Sequence, residues 1–171
     1  MIGARWGVAD SETTLHYPCD EFVSSPTLEA WRGVTVRATP EAVWPWLTQV
    51  RAAPYSYDWV DNFGHRSPRR PLGLPEPQVG EAFTTVGRRR LLGRIVSVER
   101  ERQMTGTILG AFMSYLLVPS EQDTTRLLLK IVMSTNRLIA TAVSVGDLIM
   151  ARRQLLNLKE LAERQPNHGR R

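Results

Sequence analysis

The feature that most constrains this chain is one long helical pattern near its C-terminus, over residues 137–164. At 1.5 Å per residue, about 28 residues reach roughly 42 Å, enough to cross a whole small domain. Residues 138–150 are apolar almost all round, and the second half carries an apolar seam through Leu155, Leu158 and Ala162. This pattern is typical of a buried helix that another layer covers.

Five short strands are predicted ahead of this helix, separated by turn residues such as Gly87 and Gly110. They lie at residues 81–86, 91–98, 104–109, 112–119 and 124–134. Their regular spacing favours an antiparallel meander. Period-two alternation gives two strands one apolar face each, and we expect these faces to line the concave side of the sheet. The faces consist of Met113, Tyr115 and Leu117, and of Thr125, Leu127, Leu129, Ile131 and Met133.

A strand and two short helices are predicted earlier, over residues 30–64. Residues 31–37 alternate in the manner of a half-buried strand, with Val34 and Val36 facing inward. Thr39 offers a hydroxyl N-cap and Pro40 suits the first helical position, so the first helix begins there. Pro54 stops the chain, and residues 55–62 are predicted to form the second helix.

The predicted order is therefore strand, two helices, five strands and one long helix. It predicts an α+β fold in which a curved antiparallel sheet of six to seven strands wraps around the C-terminal helix, with a cavity between them. We expect an N-terminal extension over residues 1–27, one domain over 28–165 and a basic tail over 166–171.

Two segments outside the regular elements carry predictions of their own. In the extension, the cluster from Tyr17 to Asp20 is interpreted as a surface turn, with a flap across the cavity as the alternative. The segment 65–80 contains four prolines and must be irregular. A long loop of this kind is a candidate gate.

The composition argues against several classes of function. Lys and Arg total 22 against 17 Asp and Glu, but the arginines are scattered and interleaved with glutamates, which predicts a solvated surface and no nucleic-acid partner. A single cysteine, Cys19, excludes an internal disulfide, and no signal peptide is visible, so we predict a cytoplasmic protein. Lys130 and Asp147 interrupt the apolar residues 127–150, which predicts no stable membrane insertion.

Metal and cofactor sites are not predicted either. The three histidines, His16, His65 and His168, lie far apart in the sequence. The chain has no His-x-x-x-His or Cys-x-x-Cys spacing, no phosphate-binding loop and no dinucleotide fingerprint. We therefore expect neither a metal nor a cofactor.

Three stretches and a short motif resemble a known superfamily. They are WRGVTV at 31–36, ATPEAVWPWLTQV at 38–50, APYSYDWVDN at 53–62 with RSPR at 66–69, and MARRQL at 150–155. Over residues 28–164 the chain resembles a bacterial branch of the START-like superfamily, the polyketide cyclase/dehydratase and lipid transport group. The resemblance implies a helix-grip fold, which hosts carriers, cyclases and receptors alike.

The favoured hypothesis is binding of a hydrophobic small molecule, such as a lipid or an aromatic polyketide, between the sheet and the last helix. The candidate ligand-binding residues are Tyr55, Tyr57, Trp59, Phe63, Met113, Tyr115, Leu117, Leu129, Met133 and Met150. The alternative is a polyketide cyclase/dehydratase with Tyr57, Asp58 and Tyr115 as acid–base groups. A structural interpretation makes Tyr55 and Trp59 core residues on one helix face. A protein-interaction domain is a third hypothesis, and the oligomeric state stays open.

Overall fold

The structure, a computed structural model, describes residues 4–56, 66–87 and 90–164, and for residues 137–148 it describes the backbone alone. Eight strands and three α-helices lie in these residues. They are β1 (Arg5–Trp6), α1 (Asp10–Thr13), β2 (Leu28–Val36), α2 (Pro40–Thr48), β3 (Thr84–Val86), β4 (Arg90–Leu92), β5 (Arg94–Glu99), β6 (Gln103–Ile108), β7 (Ala111–Ser120), β8 (Thr124–Met133) and α3 (Arg137–Glu163). Short 3-10 helices occupy Pro18–Phe22 and Gln49–Arg51.

Six strands form one sheet in the order β1-β2-β8-β7-β6-β5, and β3 pairs with β4 in a separate hairpin. The predicted α+β architecture and strand number are confirmed. The sheet is mixed, however, because the two-residue strand β1 runs parallel to β2 while every other pair is antiparallel. The purely antiparallel sheet was therefore wrong at one edge, where the N-terminal segment adds a strand that shows no alternation of its own.

The predicted strand 91–98 divides at Gly93 into β4 and β5, which belong to different sheets. Gly93 has a φ of +68°, a left-handed conformation that glycine adopts without strain. A Cβ at this position would lie 2.0 Å from the carbonyl oxygen of Thr107. The chain can therefore turn here, close against β6, only because residue 93 has no side chain.

Helix α2 and a short 3-10 helix follow β2, but the 3-10 helix is not the second helix predicted at 55–62. Helix α2 begins at Pro40 after Thr39, and Val43 and Leu47 on its inner face are fully buried. The helix tightens into the 3-10 turn Gln49–Arg51 instead of continuing. Tyr55 and Ser56 are not helical, and the rest of the predicted helix at 55–62 lies outside the described residues.

Helix α3 has 27 residues and matches the predicted bounds within one residue. It packs against β2 and α2, and Leu155 and Leu158 are fully buried over the concave face of the sheet. That face carries the predicted inward residues, including Val34, Val36 and Leu127, in one core cluster. No helix in the described part of the chain has the length and hydropathy of a membrane span.

The N-terminal segment packs on the opposite, convex face of the sheet. Tyr17 and Cys19 have no exposed surface and contact Leu128 and Val132 of β8. The interpretation as a surface turn was therefore wrong: the alternation of β8 leaves a second apolar face that needs a cover, and this segment provides it. The division into extension, domain and tail stays a prediction.

The charge of Lys130 holds the N-terminal segment against the sheet. Its ammonium group contacts a carboxylate oxygen of Asp20 at 2.6 Å and of Glu29 at 3.1 Å, and it lies 4.8 Å from the ring centre of Trp31. Burial lowers the pKa of Lys130, but the hydrogen bonds to the two carboxylates outweigh it and raise the pKa above its ordinary value. Lys130 is therefore a paired structural cation.

Candidate functional site

A pocket of about 200 Å³ lies between the concave face of the sheet and α3. Strands β6, β7 and β8 contribute one side, the β3–β4 hairpin another, and α3 closes it from above. Seven of its lining residues are half-buried, and they are Pro54, Val86, Leu92, Ile108, Met113, Met150 and Gln154. Three parts of the fold therefore bound this pocket.

The floor of the pocket follows from strand alternation. Met113 and Tyr115 of β7 stand opposite Ile131 and Leu129 of β8, respectively, in the antiparallel register. All four side chains line the pocket. Because directly opposed residues point to the same side of a sheet, two neighbouring strands provide a continuous apolar surface.

The ring of Phe83 forms a wall of the pocket and packs closely against Gly106 in β6. A Cβ on Gly106 would come within 2.1 Å of Cδ2 of this ring. Phe83 is almost fully buried, and its ring centre lies 6.2 Å from that of Tyr115. A glycine within a strand often marks such a close approach, and here it makes room for an aromatic wall.

Helix α3 contributes Met150, Ala151 and Gln154, which share one helix face. The hydroxyl group of Tyr115 donates a hydrogen bond to Oε1 of Gln154 at 2.5 Å. Nε2 of Gln154 donates to the carbonyl oxygen of Pro54, also at 2.5 Å. Gln154 thus connects the sheet, the last helix and the segment after α2 at the pocket wall.

Polar atoms are few around this pocket. Among the described residues, the polar side chains that line it belong to Ser56, Thr84, Tyr115 and Gln154. The hydroxyl group of Thr84 donates to the carbonyl oxygen of Val50 at 2.7 Å, so it is already engaged with the protein. Tyr115 and Gln154 are consequently the polar pair best placed to orient a bound molecule.

Apart from Tyr55, the predicted site residues separate into three groups. Met113, Tyr115, Leu129 and Met150 line the pocket together. Leu117 and Met133 lie on the same concave face, packed in or against the core cluster, but are not lining residues. Tyr57, Asp58, Trp59 and Phe63 lie outside the described residues, so their assignment stays a prediction.

Tyr55 is not among the residues that line this pocket. Its hydroxyl group donates to the carbonyl oxygen of Pro68 at 2.8 Å and accepts a hydrogen bond from Nε2 of Gln49. Oε1 of Gln49 also accepts from the backbone N–H of Leu72 at 2.8 Å. The buried pair Gln49 and Tyr55 therefore fastens the proline-rich loop to the end of α2.

The described part of that loop, residues 66–80, does not contribute to the pocket lining. It lines a separate groove of about 190 Å³ beside α2, with Trp44, Pro45 and Leu74 among its walls. Nε1 of Trp44 donates to a carboxylate oxygen of Glu76 at 2.9 Å. A role for this loop as a gate stays a prediction, because its described residues line the groove and not the pocket.

Sequence reasoning missed Phe83 and Gln154 as lining residues. A signal existed for each: Gly106 interrupts a strand pattern, and Gln154 stands one helical turn after Met150. Neither signal indicates which residue makes the contact, because Phe83 and Gly106, like Gln154 and Tyr115, are distant in the chain. In the described part of the chain, no group of three or more His, Cys, Asp or Glu side chains could hold a metal ion.

No protein-family model matches the chain, and no curated protein matches its sequence. Solved structures do match its fold. Protein MLL2253 from Mesorhizobium loti has a TM-score of 0.56 and 17% identity, covering 81% of this chain and 98% of its own. A protein from Rhodobacter sphaeroides has a TM-score of 0.54 and 19% identity, covering 79% and 92%.

The Polyketide_cyc-like protein Cgl2372 from Corynebacterium glutamicum has a TM-score of 0.51 and 11% identity, covering 87% of this chain and 100% of its own. The chain has the helix-grip fold. At these identities the likeness concerns the fold alone, because one fold carries many unrelated functions. Function therefore has to be argued from the pocket.

Proposed function

We propose that this protein binds a hydrophobic small molecule in the pocket between the sheet and α3. The observation that carries the proposal is the lining: Met113, Leu129, Ile131 and Phe83 surround an unfilled space of about 200 Å³. Apolar cavities of roughly 150 Å³ already bind one benzene ring. The space between the described walls therefore suits a single ring or a short acyl chain.

The polar pair supports a defined orientation of that molecule. Gln154 uses one hydrogen of its amide nitrogen for Pro54 and one side of its oxygen for Tyr115, so an amide hydrogen and an oxygen lone pair remain within the described contacts. A ligand with one hydroxyl or carbonyl group can hydrogen-bond there while the rest of it contacts apolar side chains. This combination is typical of small-molecule sites.

A pair of substitutions at Met113 tests the proposal. Met113→Trp introduces a large ring into the pocket, whereas Met113→Ala enlarges the pocket at the same position. We expect Met113→Trp to abolish binding of a fluorescent fatty-acid probe and Met113→Ala to keep it, as measured by fluorescence titration and by displacement with a panel of apolar compounds. Met113 is half-buried at the pocket, which limits the structural disturbance.

Thermal unfolding of both variants provides the control, since only folded variants are informative. Equal probe binding by wild type and a folded Met113→Trp would place the probe elsewhere. No displaceable binding across a broad panel in the wild type would contradict the proposed function itself. The cytoplasmic location of the protein stays a prediction.

A polyketide cyclase/dehydratase remains the alternative, and one observation favours it. Tyr115, one of its three candidate acid–base groups, lines the pocket and donates its hydroxyl hydrogen to Gln154. The fold is shared with a protein described as Polyketide_cyc-like. This alternative predicts that Tyr115→Phe and Asp58→Asn each abolish turnover of a polyketide-like substrate without weakening probe binding; unchanged turnover would exclude these residues as catalysts.

A further inference from the structure

One hydroxyl group in the pocket wall is left without a hydrogen bond. Ser56 lines the pocket and is only 9% exposed. Its backbone carbonyl oxygen accepts from Nδ2 of Asn157 at 3.4 Å, but its hydroxyl group makes no hydrogen bond in the described part of the chain. Buried hydroxyl groups are normally paired, because an unpaired one loses its contacts with water and gains nothing in return. An unpaired hydroxyl group beside an unfilled space therefore indicates a contact that a bound molecule completes.

The other hydroxyl groups of the described pocket lining are engaged with the protein. The hydroxyl group of Thr84 donates to the carbonyl oxygen of Val50 at 2.7 Å. That of Tyr115 donates to Oε1 of Gln154 at 2.5 Å. Both contacts form between elements that the fold already brings together, so they need no ligand. Ser56 is therefore the exception among these hydroxyl groups, and the fold alone does not account for its position.

The backbone directly before Ser56 is strained. Tyr55 has a φ of 55°, in the left-handed region that a bulky side chain rarely adopts, because its Cβ then approaches the following carbonyl oxygen. A conformation of this kind persists only where the surrounding contacts impose it, and such residues concentrate at ligand-binding sites. The strain at Tyr55 is therefore a second observation, independent of the unpaired hydroxyl group, that points to this part of the pocket wall.

Two side-chain amides of α3 impose this conformation. Nδ2 of Asn157 donates to the carbonyl oxygen of Tyr55 at 2.8 Å, and Nε2 of Gln154 donates to that of Pro54 at 2.5 Å. Gln154 and Asn157 are three residues apart and therefore lie on one face of the helix. Pro54 and Ser56 both line the pocket, whereas Tyr55 between them does not. The strained turn thus directs the tyrosine towards the loop and leaves Ser56 at the pocket.

The hydrogen-bonding groups left free at this wall are uncharged. The hydroxyl group of Ser56 offers one donor and two lone pairs, and the amide of Gln154 keeps one hydrogen and one lone pair. None of the described residues that line the pocket carries a charged side chain. A carboxylate or ammonium group enclosed there would lose its hydration without gaining an opposite charge. The wall therefore favours an uncharged polar group on the ligand.

We propose that Ser56 determines the specificity of the pocket, by hydrogen bonding the hydroxyl group of an uncharged ligand. The inference rests on the proposed function and adds to it a residue and an exclusion: a carboxylate small enough to lie wholly inside the pocket is rejected. A long fatty-acid probe can leave its carboxylate group in solvent while its apolar chain enters, so this exclusion does not apply to it.

Three compounds that share one ring test this inference: para-ethylphenol, ethylbenzene and para-ethylbenzoate. Their inhibition constants are measured by displacement of the fluorescent fatty-acid probe from the wild type and from Ser56→Ala. We expect Ser56→Ala to weaken binding of para-ethylphenol by about five-fold relative to ethylbenzene, the loss of one hydrogen bond. The ionised para-ethylbenzoate should bind the wild type at least about 100-fold more weakly than para-ethylphenol.

Thr84→Val is the matched control, because it also removes one hydroxyl group from the pocket wall. That hydroxyl group is bonded to the protein, so its loss should lower the urea unfolding midpoint and change the constants for para-ethylphenol and ethylbenzene by the same factor. Ser56→Ala breaks no hydrogen bond of the described side chains, so its unfolding midpoint should be no lower than that of the wild type. A selective loss of para-ethylphenol binding in Ser56→Ala therefore cannot be attributed to unfolding.

Three results would overturn the inference: an equal change of both constants in Ser56→Ala, an equally selective loss in Thr84→Val, or para-ethylbenzoate binding as tight as that of para-ethylphenol. In each case displacement of the probe by ethylbenzene would still support the pocket, so the proposed function would stand without the role of Ser56. Failure of all three compounds to displace the probe from the wild type would contradict both proposals.

Discussion

Replacing Gly106 by alanine places a methyl group where the ring of Phe83 now lies. The three atoms nearest to that methyl group would be ring carbons at 2.1, 2.5 and 2.5 Å. Carbon atoms in ordinary contact are about 3.5–4.0 Å apart, so the ring must retreat by more than about 1 Å. Gly106 does not have a positive φ, so this steric effect is not mixed with backbone strain.

Because the ring lines the pocket, a retreat from the sheet moves it into that space. Overpacking of this kind costs about 1–3 kcal/mol of unfolding free energy. The displaced ring also takes space from a pocket of only about 200 Å³. We therefore expect Gly106→Ala to weaken binding of an apolar probe by about ten-fold, equivalent to about 1.4 kcal/mol.

Gly33→Ala provides a matched control on the other face of the sheet. A Cβ on Gly33 would lie 2.9 Å from side-chain atoms of Val8, Arg126 and Leu128, none of which lines the pocket. Urea unfolding should show a loss of stability in both variants, whereas probe titration should show weaker binding only in Gly106→Ala. Wild-type probe affinity in Gly106→Ala, or an equal loss in Gly33→Ala, would refute the reasoning.

Three further predictions concern the framework of the fold. Gln154→Leu removes the hydrogen bonds to Tyr115 and to the backbone and should lower the unfolding free energy by about 2–3 kcal/mol in urea; a loss below about 0.5 kcal/mol would contradict the role of this side chain. Burial raises the pKa of the Cys19 thiol to about 11. At pH 8 iodoacetamide should therefore label this thiol at least about 100-fold more slowly in the native chain than in the unfolded chain. Mass spectrometry measures both labelling rates. Equal rates would mean that the N-terminal segment is not packed on the sheet. The hydrogen bond from Arg126 lowers the pKa of Glu12 below 4.5, so the stability it contributes is present above about pH 4.5 and is lost as the pH falls further. Glu12→Gln should flatten this part of the profile of unfolding free energy against pH, and an unchanged profile would contradict the linkage.

The parts of the fold that follow from local rules could be predicted from the sequence. Strand alternation placed Tyr115 and Leu129 on one concave face, because successive side chains of a strand must point to opposite sides. Thr39 and Pro40 located the start of α2 for an equally local reason, although the predicted hydroxyl cap was wrong, because the Thr39 side chain makes no capping hydrogen bond. The length of α3 followed from its uninterrupted helical pattern.

Long-range contacts could not be predicted in the same way. Tyr17 and Cys19 show no periodicity, and their burial depends on Leu128, which is more than a hundred residues away. Alternation also cannot distinguish Tyr115, which lines the pocket, from Leu117, which packs in the core on the same face of the same strand. Phe83 likewise became a wall through its contact with Gly106 on another strand.

The most direct test of the account is native mass spectrometry of the gently purified protein, alone and after incubation with the displaceable probe. We expect a noncovalent complex of one apolar molecule per chain in the wild type, and its absence in a folded Met113→Trp variant, because the tryptophan occupies the pocket. Failure of the wild type to retain any bound molecule, or equal retention by both proteins, would contradict a ligand site between the sheet and α3.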